Sequence, residues 1–89
     1  TALSLTNALR AVRTTSAALG SVTLSDIYAE RCRELSWECW IRNDMIRFGR
    51  FEDAWGLSKT NSETYRRIFP IPTSAIAVNP KLTQNPGYN

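Results

Sequence analysis

An all-α fold is predicted, with a long central helix, an N-terminal helix before it and an extended, proline-rich C-terminal strap after it. Three observations predict it. Apolar residues recur at helical spacing near the start. The middle of the chain reads as one capped helical stretch. All four prolines fall in the last third. With 89 residues the chain has room for one domain and a modest core.

The first helix is expected at about 2–14. Leu5, Ala8, Leu9 and Val12 follow the i, i+3, i+4, i+7 spacing of one helix face. Asn7, Arg10 and Arg13 fall largely outside that stripe. Residues 15–22 are small and polar, include Gly20, and read as a linker.

The long helix is expected at about 24–48. Thr23 with Asp26 three residues on makes a capping-box start. Gly49 is the natural stop, and Arg47 faces the negative end of the helix dipole. At about 100° per residue, Leu24, Ile27, Tyr28, Cys32, Leu35, Cys39, Met45 and Ile46 share one apolar arc. Arg31, Glu38 and Arg42 project from the middle of that arc, with Glu34 at its edge. Glu38 precedes Arg42 by four residues, the favourable order, and Arg31 precedes Glu34 by three. Buried charges need partners. The spacing therefore predicts an arginine–carboxylate network, either buried or, if the arc is half-buried, a set of solvated surface pairs. Asp44 and Arg47, three apart, extend it towards the loops. A catalytic carboxylate pair at Glu34 and Glu38 is disfavoured, because neighbouring arginines lower the carboxyl pKa that such chemistry needs raised.

Trp37, Trp40, Ile41 and Phe48 lie off the main arc, so the helix is apolar on more than one side. Either larger helical neighbours sandwich it, or Trp37 and Trp40 form an aromatic contact surface. A helix of 25 residues is about 37 Å long, roughly as long as any globule this chain can form.

Residues 51–55 can add a turn, and a polar loop is expected at 56–64. In the tail, 65–89, prolines push Phe69, Ile71, Asn79 and Asn85 towards extended conformations. Pro70 and Pro72 lack N–H donors, so their neighbourhood is a strap rather than a central strand. One helical turn fits near residues 73–76.

Composition closes several functional classes. There is no histidine, which removes histidine-based triads and metal ligands. Cys32 and Cys39 would stand about 10.5 Å apart along one helix, beyond disulfide reach. No cofactor is expected. A net charge of +3, with arginines interleaved among carboxylates, argues against nucleic acid as a partner. No apolar run is long enough to span a membrane.

Three blocks of the chain resemble one family. Arg33-Glu34-Leu35, Glu38, Arg42, Asp44, Ile46-Arg47 and Gly49 resemble the R-E-L-x-x-E-G-x-R-R-x-D-L-I-R-x-G helix of the SusD/RagB family. Phe69-Pro70-Ile71-Pro72, Asn79-Pro80 and Gln84-Asn85-Pro86-Gly87-Tyr88 resemble its C-terminal signature, and Leu5 to Arg13 is similar to the segment preceding the helix. The chain departs from the pattern at Cys39, where the family usually has Gly, and at Trp40 and Ile41, where polar residues are common.

The resemblance implies that residues 1–89 are the C-terminal part of a larger, tetratricopeptide-like SusD fold. It implies a non-enzymatic, surface-exposed lipoprotein of the outer membrane that binds an oligosaccharide or other nutrient. The implied partners are a SusC-like TonB-dependent transporter and the remainder of the SusD-like chain. Ligand-binding residues are expected upstream, leaving this segment as scaffold. The proline-rich strap is then expected to insert Phe69 and Ile71 between helices.

Overall fold

The computed structural model describes residues 1–54 and 63–88, and every regular element among them is helical. Helix α1 is Ala2–Arg13, α2 is Leu24–Glu34 and α3 is Ile41–Arg47; a 3-10 turn at Thr64–Arg67 precedes α4, Thr73–Val78. The expected loop at 56–64 lies, apart from its last two residues, outside the described residues, as does Trp55 of the expected turn at 51–55. The chain divides into two compact units, Thr1–Phe48 and Gly49–Asn89.

In the first unit, α1 ends one residue from its expected limit. Its rotation differs from the apolar stripe. Leu5 is 73% exposed and Val12 80% exposed, while Leu3, Thr6, Asn7, Arg10 and Thr14 are half-buried, as is Leu9 of the stripe. Polar anchors set this rotation. The Asn7 side chain donates to the Leu19 carbonyl at 2.9 Å and accepts from the Leu19 N–H at 2.8 Å. This two-point bond folds the linker back along α1. Arg10, on the same face, has its ionic partner on α2.

The start of α2 is as predicted. The Thr23 hydroxyl oxygen accepts from the Asp26 N–H at 3.2 Å, and the Asp26 carboxylate accepts from the Thr23 N–H at 2.8 Å. The single long helix at 24–48 is not formed. The chain leaves α2 at Leu35, turns through residues 35–40 and restarts as α3. Trp37 (φ 68°) and Cys39 (φ 61°) both take left-handed backbone conformations. The Ser36 hydroxyl lies 2.7 Å from the Cys32 carbonyl and 3.0 Å from the Arg33 carbonyl, meeting acceptors that the end of α2 leaves open. The glycine usual at the position of Cys39 in the resembled pattern suits this left-handed backbone.

The break reshapes the expected arc. Met45 is buried, and Ile27, Tyr28, Cys32, Leu35 and Ile46 are half-buried. Leu24, in the first turn of α2, and Cys39, in the turn after it, are exposed. Tyr28 and Phe48 stack at a tilt with ring centroids 5.3 Å apart. Twenty residues of continuous helix would separate them by about 30 Å.

In the second unit, Gly49 terminates α3 with φ 68°. Helix α4 forms in the tail as expected and extends to Val78. Arg67, in the 3-10 turn, makes a forked pair with Glu52 at 2.7 and 2.8 Å. Phe69, expected between helices, is 68% exposed, and Ile71 is half-buried.

Two substitutions test the left-handed positions. Trp37→Gly relieves a bulky residue from a strained backbone and is expected to stabilise the fold by about 1 kcal/mol. Gly49→Ala meets no steric neighbour among the described residues and is expected to cost about 1 kcal/mol through conformation alone. Urea midpoints measure both.

Candidate functional site

The most constrained group in the first unit is the carboxylate of Asp44, on α3. Asp44 is 4% exposed. Arg31 Nε donates to its Oδ2 at 2.7 Å, and Arg47 Nη2 donates to its Oδ1 at 2.8 Å. The Arg31 hydrogen bond, helped by the charges of Arg31 and Arg47, holds the Asp44 carboxyl below the ordinary aspartate range, against burial that pushes it up. Thirteen residues of continuous helix would put Arg31 and Asp44 about 20 Å apart. The turn at 35–40 is what brings them into contact.

A second cluster ties α1 to α2. Arg10 Nη1 meets Glu30 Oε2 at 3.0 Å, and Arg33 donates to the same oxygen. Glu30 is buried. The Arg33 hydrogen bond first, and Arg10 after it, keep its carboxyl below the ordinary glutamate range despite desolvation. Nearer the surface, Arg13 holds Glu34 through Nε and Nη2, with distances of 2.7 to 3.1 Å. These pairs, with Thr14 and Ser16, line a cleft of roughly 530 Å³. Its three arginines outnumber its two glutamates by one charge, and α1 and α2 both end beside it. Their C-terminal carbonyls disfavour an anion there.

Of the predicted network, Arg31, Asp44 and Arg47 come together. Glu34 belongs to a different cluster and pairs with Arg13 rather than Arg31. Glu38 is exposed in the turn, where the i, i+4 relation to Arg42 no longer exists. Among the described residues no ion pair joins Glu38 to Arg42. Sequence reasoning missed Arg10, Arg13 and Glu30. A legible signal was present: arginines three apart on α1 and glutamates four apart on α2 form matching rungs if the helices pair. Trp37 is fully exposed and Trp40 half exposed.

In the second unit, the prolines of the strap create a deficit of backbone donors, and the chain's last residues fill it. Gln84 accepts from the Ile71 N–H and donates to the Ile71 carbonyl, both at 2.8 Å. Asn85 Nδ2 donates to the Phe69 carbonyl at 2.8 Å, and the Tyr88 hydroxyl to the Ile68 carbonyl at 2.7 Å. Tyr65 and Tyr88 meet edge-to-face at 4.9 Å. Gly87 (φ 90°) lies against the Tyr65 ring, where a Cβ would come within 2.7 Å of both Cδ atoms.

No group of three or more His, Cys, Asp or Glu side chains is gathered to hold a metal among the described residues. No helix among them is long and apolar enough to cross a membrane. Most carboxylates among the described residues are paired with arginines. A sequence profile of the SusD family matches residues 7–88, and the chain belongs to that family. No curated protein sequence matches it.

Asp44→Asn is expected to cost about 1–2 kcal/mol, because it replaces the charge-assisted hydrogen bonds of a buried carboxylate with weaker ones while Arg31 and Arg47 stay partly solvated. Arg47→Ala, on a mostly exposed side chain, is expected to cost less than about 1 kcal/mol. Denaturant titration at neutral pH separates the two. Both buried carboxyls have lowered folded-state pKa values. Their stabilisation is therefore fully present above the unfolded carboxylate range, about pH 4, and is lost as pH falls through their folded values. Asp44→Asn combined with Glu30→Gln is expected to flatten the acid limb of the stability curve. An unchanged slope would show that other groups control it.

Proposed function

We propose that the protein is a non-enzymatic nutrient-binding component of the cell outer membrane, with an oligosaccharide as its ligand. It works there with a SusC-like, TonB-dependent transporter. In this reading residues 1–89 are the structural C-terminal part of a tetratricopeptide-like fold, anchored as a surface lipoprotein, and the remainder of the SusD-like chain carries the ligand contacts. Membership of the SusD family over residues 7–88 carries the proposal. The engagement of Glu30, Glu34, Asp44 and Glu52 with arginines supports a scaffold role for this segment.

A second reading is a small helical interaction module that uses Trp37 and Trp40 as its contact surface. The complete exposure of Trp37 favours it. Analytical ultracentrifugation of the 89-residue chain discriminates: a stable monomer with solvent-exposed tryptophan emission supports the module, whereas association or partial unfolding supports the scaffold.

The intact protein is expected to bind oligosaccharides without cleaving them and to co-purify with a transporter from outer membranes. Binding is expected to survive Trp37→Ala. Hydrolysis of a bound glycan by the purified protein would overturn the non-enzymatic assignment.

A further inference from the structure

We infer that residues 65–88 form a latch that opens as a single unit, with Gly87 beneath the Tyr65 ring as its pin. The strap at 68–72 belongs to no helix or strand among the described residues. Pro70 and Pro72 remove donors at alternate positions, so neither a helix nor a strand ladder can satisfy residues 68–72. Four of its backbone groups are instead met by three side chains: the carbonyls of Ile68, Phe69 and Ile71, and the N–H of Ile71.

Those side chains come from one five-residue stretch, 84–88, and its course is set at a single point. Gly87 occupies a left-handed conformation that a side chain resists, and it does so where any Cβ would collide with Tyr65. Tyr88 then meets Tyr65 edge-to-face and turns its hydroxyl onto Ile68. Gln84 and Asn85 are linked on the same stretch, since the Asn85 N–H also donates to Gln84 Oε1 at 2.9 Å. The donors are therefore aligned together and leave together. Displacing Gly87 moves Tyr88 away from Ile68 and shifts Asn85 and Gln84 from Phe69 and Ile71. Helix α4, enclosed between the strap and the closing stretch, loses its anchorage at both ends in the same event.

Amide hydrogen exchange on the intact protein tests the latch. In Gly87→Ala the Ile71 and Asn85 amides are expected to exchange about tenfold faster or more. They should accelerate together, while α2 amides keep wild-type protection. Tyr88→Phe removes one hydroxyl and keeps the ring, and is expected to accelerate the same two amides by a smaller common factor. Acceleration confined to the residues beside position 87 or 88, with Ile71 still protected, would show that the bonds break independently and overturn the inference. Equal acceleration of α2 amides in both variants would mean that the loop opens only when the chain unfolds, and would overturn it too. Should Gly87→Ala fail to fold, Tyr88→Phe decides by the same criterion.

Discussion

The first unit depends on the carboxylate of Asp44. It is buried at the start of a short helix, and it is stable there as an anion only because two guanidinium groups reach it. One of these, Arg31, belongs to the preceding helix. The bond to Arg31 requires the chain to reverse between α2 and α3, and that reversal requires two side-chain-bearing residues to enter left-handed backbone space. Strain at Trp37 and Cys39 and the ion pair at Asp44 are two sides of one arrangement. The same reversal stacks Tyr28 on Phe48, so apolar and ionic contacts reinforce each other.

Arginine–carboxylate ties carry an unusual share of the architecture because apolar burial is sparse. Met45 and Phe51 are the buried apolar residues among those described, and large side chains such as Leu5, Val12, Leu24 and Val78 stay exposed. Charged pairs offer weaker net stabilisation than an apolar core, but they are directional. The forked geometries of Arg13 on Glu34 and of Arg67 on Glu52 fix orientation as well as distance. Directional ties suit the holding of helices in register.

The second unit solves a different problem with the same economy. Prolines make its strap extended and deprive it of donors, and the last residues return those donors as side chains. The roles of Gln84, Asn85, Gly87 and Tyr88 follow from this exchange. Each serves the backbone of the strap or the packing that positions it, so the signature of the tail is a complementary set of hydrogen-bonding side chains and one glycine.

Much of this was legible in residue order. The helical class, the extent of α1, the capping box at Thr23, the stop at Gly49, the turn of helix after Pro72 and the family resemblance all rest on near neighbours or on contiguous motifs. Local chemistry determines such features because caps, turns and proline constraints act within three or four residues. The break at 35–40 was not read, since helical periodicity on both sides of it is good and Trp37 and Cys39 carry no turn signal of their own. That one reversal decided the rest. It moved Arg31 from Glu34 to Asp44, left Glu38 in solvent and freed Glu34 for Arg13. The facing of α1 was likewise settled by Asn7 and Arg10 rather than by its apolar stripe. Partners 12, 13, 20 and 21 residues away are chosen by where the backbone turns, and only the tertiary structure specifies that.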